Sequence, residues 1–294
     1  MLHRTALPVL VLVLSAGVAL SAQDTTFEET VALEPGGRLS LDTTRGSVRL
    51  TSWDQPTVEI RARIEPPSGV DDDYARAAVE GTTIEVEASG RAVRIRSNFD
   101  DVPRRGLFRG MRSVPRVHYE IRAPRQVDLH LDIDRSDTTV RGFEGRLVFD
   151  LDRSDLDASD LTGEIVMDLD RGVLTASDLS GDIGLDLDRG QRAVLDGVRG
   201  TLHFDLDRTS MTMRDVQIDE DSRVEIDRGD LDVQLVDDQA LTIDADMSRR
   251  ADLSSDLPLT MHRTGRDFRG TINGGGPALR IDADRSEIRL QTNQ

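Results

Sequence analysis

The sequence predicts an all-β fold: a parallel β-solenoid, right-handed and β-helix-like, with about 18–20 residues per coil and a less regular β region before it. Three observations predict it. The motif Asp-x-Asp-Arg (Glu for the first Asp at 225) recurs with its arginine at 135, 153, 171, 189, 208, 228 and 285, so the early spacings are 18, 18, 18, 19 and 20 residues. Aligning the periods gives apolar columns separated by acidic ones, the period-2 alternation of strands with one buried face. A single period cannot bury its own apolar face, whereas stacked periods can.

The first apolar column reads Leu131, Phe149, Met167, Leu185, Phe204, Val224, Ile243 and Ile281. The second reads Ile133, Leu151, Leu169, Leu187, Leu206, Ile226, Ala245 and Ala283. Further apolar pairs follow at Leu156/Ala158 and Leu174/Ala176, then at Leu161/Ile165 and Leu179/Ile183, with Gly163 and Gly181 at a bend between them. Each period is therefore expected to make three short strands and three turns, with Arg-Ser-Asp or Arg-Gly-Asp as turn chemistry. An antiparallel meander is the alternative; its strands would pair within a period.

The elements are read in chain order. Residues 1–22 form a signal peptide: Arg4, an apolar run from Ala6 to Leu20, and small residues around the cleavage site. That run is shorter than the ~20 residues of a membrane span, and no later segment is apolar enough to cross. Residues 23–125 form the irregular region. Arg38–Leu50 and Val58–Ile64 alternate as strands, Asp71–Val79 can make a helix, and Thr83–Ala88 with Ala92–Ser97 make a hairpin. Asn98–Pro115 is an aperiodic loop, and Val117–Ile121 leads through Pro124 into the array. Residues 126–294 form the regular array, entering its last coil through Gly274, Gly275 and Gly276. The tail 288–294 is expected to cap the exposed edge.

Composition narrows the function classes. The chain has no cysteine, so disulfides and thiolate metal sites are excluded. Aromatics make up 3%, so the core must be aliphatic. The formal net charge is −18 and every Lys/Arg position is arginine, which disfavours nucleic acid and anionic membranes as partners.

Several features together resemble a known family. An exported chain opens with Gly37-Arg38-Leu39-Ser40-Leu41, continues through Gly46-Ser47-Val48-Arg49-Leu50 to Trp53-Asp54, and closes with Asn273-Gly274-Gly275-Gly276 leading to Leu279. In these it resembles the bacterial "putative adhesin" β-strand-repeat proteins of unknown function. The resemblance implies a β-solenoid on the outer side of the membrane and brings no catalytic residues with it. Where such repeats carry small Thr/Ser-Gly turns, this chain carries Asp-Arg-Gly or Asp-Arg-Ser.

Stacking at the ~4.8 Å strand spacing would set two acidic columns side by side, repelling by about 0.9 kcal/mol per neighbour in water. The arginine column is expected to offset that repulsion in both. The Asp pairs also offer oxygens to Ca²⁺, with Asp150, Asp152, Asp168, Asp170, Asp186 and Asp188 as the candidate ligands. Against this, the Gly-Gly-x-Gly-x-Asp pattern of calcium β-rolls is missing and an arginine competes beside each pair. Catalysis needs one irregular constellation, whereas this triplet repeats coil after coil. The histidines are scattered without metal-ligand spacing. A basic and apolar loop, with Arg104, Arg105, Phe108, Arg109 and Arg112, is a candidate docking element for a partner.

The expected function is therefore non-enzymatic: an exported, adhesin-like or cell-envelope scaffold or binding protein, periplasmic or at the surface, that needs no cofactor. Its partner would be an envelope protein or glycan, with divalent cations as a further class. The alternatives are a calcium-binding envelope module and a carbohydrate-active β-helix enzyme.

Overall fold

A computed structural model describes residues 24–104, 113–190, 192–257, 260–264 and 267–292. The expected leader lies outside the described residues. Strands β1 (Thr25–Ala32), β2 (Gly37–Thr43), β3 (Gly46–Trp53) and β4 (Thr57–Glu65) precede the helix α1 (Asp72–Glu80). Asp71 caps that helix by accepting the Tyr74 N–H at 2.9 Å, and Asp72 and Asp73 occupy its positive first turn. The hairpin β5 (Thr83–Ser89) and β6 (Ala92–Asn98) follows, paired antiparallel around Gly90-Arg91. Then come β7 (Arg116–Pro124) and β8 (Val127–Asp134).

The regular array is β9 (Ser136–Asp152), β10 (Asp155–Asp170), β11 (Val173–Asp188) and β12 (Arg192–Asp207). These strands pair in parallel with strict register. Asp150, Asp168, Asp186 and Asp205 are successive partners, as are Leu151, Leu169, Leu187 and Leu206. Pairing therefore runs between periods, against the meander. The three short strands expected per period are instead one ladder of 16–17 residues that bends without breaking. The bends are made by backbone conformation. Arg153 and Arg171 (φ 52° and 60°) turn one corner, Asp160 and Asp178 (52° and 54°) a second, and Gly163 and Gly181 (123° and 128°) a third. The Asp160 corner was not legible in advance; its column, Gly142, Asp160, Asp178, Gly197 and Asp215, holds residue types that tolerate positive φ.

The C-terminal third departs from the expected order. It contains β13 (Ser210–Ile218), β14 (Ser222–Asp227), β15 (Asp230–Leu235), β16 (Leu241–Met247), β17 (Asp252–Ser255), β18 (Thr260–Thr264), β19 (Asp267–Ile272), β20 (Ala278–Asp284) and β21 (Glu287–Thr292). Strand β20 lies between β14 and β16, so Val224 partners Ile281 and not Ile243. Ile243 instead partners Leu279, a slip of two residues. The repeat motif lacks its arginine at Met247, which lies within β16 opposite Ala283, whereas Arg285 (φ 53°) turns the corner and continues the column. The tail corrects another expectation. Strand β21 is flanked by β15 and β17, so it is interior rather than an edge cap.

Among the described residues the sheet has 21 strands, mostly parallel, with antiparallel pairs confined to the two ends. One contiguous aliphatic core runs through it, from Leu39 and Leu41 to Ile288 and Leu290. Its largest buried side chains are Tyr119, Phe143 and Phe149. Tyr119 satisfies its hydroxyl on Ser97 at 2.7 Å, which in turn meets Thr43 at 2.9 Å.

The glycine corner yields a test. A Cβ on Gly163 would lie 2.2 Å from the Gly145 carbonyl oxygen, at a φ that side chains avoid. Gly163→Ala is expected to cost about 3 kcal/mol or more by urea denaturation. Gly274→Ala has positive φ but open space around its Cβ, and should cost only about 1–2 kcal/mol.

Candidate functional site

The outer side of the strand leading into each Arg corner carries two carboxylates, and the corner itself aims the guanidinium. With φ near +50 to +60°, each arginine leaves the ladder direction and its side chain runs along the stack. Its backbone N–H stays satisfied by the next period: Arg153 donates to the Asp170 carbonyl at 2.7 Å and Arg171 to Asp188 at 3.1 Å.

The guanidinium then bridges two layers. Arg171 lies 2.5 Å from Asp170 of its own period and 3.3 Å from Asp152 of the preceding one. Arg153 pairs likewise with Asp152 and, at 3.1 Å, with Asp134. Arg189 takes Asp188 and Asp170, Arg208 takes Asp207 and Asp188, and Arg228 takes Asp227 and Asp207. Arg285 closes the series on Asp284 at 2.8 Å and Asp227 at 2.9 Å. The result is one zipper along the stack. Hydrogen bonding from Arg189 holds the Asp188 carboxyl below the usual carboxylate range.

The other acidic column is left out. Asp42, Asp132, Asp150, Asp168, Asp186, Asp205, Glu225 and Asp282 are successive parallel partners. Among the described residues, no arginine pairs with Asp150, Asp168, Asp186 or Asp205. Partial burial, reinforced by the carboxylates one layer away, pushes Asp132, Asp168 and Asp205 above the usual range. This corrects the expectation that one arginine column offsets both acidic columns. The guanidinium reaches only the carboxylate next to it in sequence and that residue's stacked neighbour.

The six candidate calcium ligands are thereby divided. Asp152, Asp170 and Asp188 belong to the arginine zipper, while Asp150, Asp168 and Asp186 form the open row. Among the described residues, no three His, Asp or Glu side chains converge as a metal-holding group.

The candidate docking residues Arg105, Phe108, Arg109 and Arg112 lie outside the described residues. Arg104 is described and exposed at one stem of the loop. That stem is pinned to the other by Tyr74, whose hydroxyl donates to the Pro103 carbonyl at 2.8 Å and accepts the Ser113 N–H at 3.1 Å.

A further line of residues was invisible in the sequence. Ser47 Oγ lies 2.9 Å from His118 Nδ1, and His118 Nε2 lies 3.0 Å from Glu65 Oε2. Only the register of β3 on β7, and of β7 on β4, brings them together. The contacts resemble a nucleophile–base–carboxylate series. However, β3 and β7 are paired on both sides, so their N–H groups are engaged in ladders and do not converge as oxyanion donors.

No protein-family model matches the chain, and no curated protein matches it. Solved bacterial structures are similar to it along most of its length. One is described as a putative cell adhesion protein from Clostridium sporogenes, with 14% identity, 92% of this chain and 100% of that chain covered, and a TM-score of 0.26. A second is a putative adhesin from Bacteroides fragilis, with 10% identity, 94% and 100% coverage, and a TM-score of 0.34. A third is a putative lipid binding protein from Parabacteroides distasonis, with 8% identity, 90% and 96% coverage, and a TM-score of 0.34. Likeness at these scores assigns neither fold nor function. No helix among the described residues is long and apolar enough to cross a membrane.

The two columns should respond oppositely to neutralisation. At pH 7 and low salt, Asp168→Asn removes like-charge repulsion and is expected to stabilise by about 0.5–1 kcal/mol. Asp170→Asn breaks two arginine contacts and is expected to destabilise by a similar amount. Because folding raises the Asp168 pKa, that site opposes folding as pH rises through the carboxylate range. The Asp168→Asn gain should therefore shrink as pH falls through the native pKa of Asp168 and vanish only below its unfolded value, where both states are protonated. Urea midpoints at two pH values and two salt concentrations check both.

Proposed function

We propose that the chain is an exported, non-enzymatic β-solenoid that acts as an adhesin-like or cell-envelope binding scaffold. On this reading residues 1–22 are removed on export, 23–125 form the entry region and 126–294 the regular coil, periplasmic or at the cell surface. Its partner is an envelope protein or glycan, met through charge arrayed at strand spacing. The observation that supports this most is the uniform surface. The same Asp and Arg contacts recur layer after layer, so no single repeat is set apart as the one irregular constellation that catalysis requires.

The calcium-module reading draws on the open row Asp150, Asp168 and Asp186. It is weakened because their partners Asp152, Asp170 and Asp188 are held by arginine. Crosslinking in the native envelope, followed by co-purification, tests the main reading. The expected outcome is a specific envelope partner, no turnover on a panel of glycans, and no shift in melting temperature with millimolar Ca²⁺. Turnover abolished by a single Asp→Asn change, or a saturable Ca²⁺-dependent rise in melting temperature, would replace it with the corresponding alternative.

A further inference from the structure

The layer formed by β20 and β21 is out of chain order, and the layer beyond it in space can stand in its place. Strand β20 runs between β14 and β16, and β21 between β15 and β17, parallel on both sides. Glu287 of β21 has Asp230 on one side and Asp252 on the other, and Ile288 has Leu231 and Leu253. Strand β17 therefore already holds the register that β15 requires. Strand β16 carries Ile243-Asp244-Ala245-Asp246, the same four residues as Ile281-Asp282-Ala283-Asp284 of β20. It sits two residues out of that register, a slip that keeps every side chain on its own face. Two strand pairs of one chain thus match one slot beside β14 and β15.

The corner decides between them. Arg285 turns it and places its guanidinium 2.9 Å from Asp227, while the Ser286 hydroxyl donates to the Ile226 carbonyl at 3.3 Å. Arg228 donates its N–H to the Asp284 carbonyl at 3.0 Å. Where β20 is followed by that arginine, the other pair has Met247, still within its strand. The slot therefore holds β20 and β21 more strongly. Their departure leaves β14 and β15 with a weaker substitute instead of open edges.

The connection to the pair is rich in glycine. Residues 273–277 lead from β19 into β20 and read Asn-Gly-Gly-Gly-Pro. Gly274 and Gly275 hold φ of 87° and 86°, and nothing lies near the Cβ position of Gly274. The contacts of the pair with β14, β15, β16 and β17 are set by residue type and register. An identical pair from a second copy makes the same contacts, which is the condition for exchanging an element between protomers.

We infer that β20 and β21 form an exchangeable layer, and that two copies of this chain associate by each inserting its pair into the slot of the other. When the pair swings out about 273–277, β16 and β17 cover β14 and β15. The partner's pair then displaces them, as the chain's own pair does within one copy. The inference is independent of the envelope-scaffold reading, which stands whether or not the layers exchange.

The chain has no cysteine, so single substitutions report the exchange. Glu225 and Asp282 are direct partners across β14 and β20. Parallel partners lie about 4.8 Å apart, within reach of a disulfide. Full chains carrying Glu225→Cys are mixed with full chains carrying Asp282→Cys in urea below the unfolding midpoint, returned to buffer and oxidised. The control mixture pairs Asp168→Cys with Asp186→Cys, partners in the middle of the array. A covalent heterodimer is expected from the first mixture, and none above the single-variant background from the control. A chain carrying both Glu225→Cys and Asp282→Cys, oxidised while dilute, should lose the ability to co-purify with a differently tagged chain. Circular dichroism confirms that the variants are folded, and Arg223→Cys with Arg280→Cys reports on the same two strands if either acidic substitution unfolds the chain. Heterodimer no more abundant than in the control, or tag exchange that persists in the locked chain, would overturn the inference.

Discussion

Parallel, in-register stacking places nearly every side chain of the array beside its counterpart one repeat away, about 4.8 Å distant. The structure depends on that constraint, because a column survives only if its members tolerate one another. Aliphatic columns do so readily, as Leu151, Leu169, Leu187 and Leu206 show. The column Gly145, Gly163, Gly181 and Gly200 does so for another reason. Each glycine presses against the carbonyl of the one before, leaving no room for a Cβ. Carboxylates are the unfavourable case, and the chain carries two columns of them.

The arginine corner resolves one of these columns and not the other. An L-residue with positive φ carries a conformational cost of roughly 1–2 kcal/mol. In return the corner turns the backbone, keeps its N–H on the next layer and sends a planar fork along the stack axis. Lysine would bring one charge without the fork, which suits it less to bridging two carboxylates. The motif that ends at Met247 does not extend the column, and the stack is continued by Arg285, fifty-seven residues after Arg228 in the chain but the next layer in space.

Two residues away along the same strand, the second column stays open. Its carboxylates face solvent on a sheet whose total charge is already strongly negative. Nearly all of its length is uniform, one carboxylate per layer. The surface thus combines a compensated zipper and an open acidic row.

Much of this was legible in the sequence because periodicity is a property of residue order. The repeat length, the apolar columns, the parallel pairing between periods, the capped helix and the β5–β6 hairpin all follow from spacing and local chemistry. So does the need for glycine at 163 and 181. What the sequence could not carry is anything decided by neighbours far apart in the chain. Which column the arginines serve depends on a left-handed corner that alternation does not reveal. The placement of β20 between β14 and β16 and the Ser47–His118–Glu65 contacts depend on strand order, and a period read along the chain specifies spacing but not order. The sequence alone determined that these residues stack. The tertiary structure decided which charges meet, because electrostatic contacts act across space between layers that the chain visits out of turn.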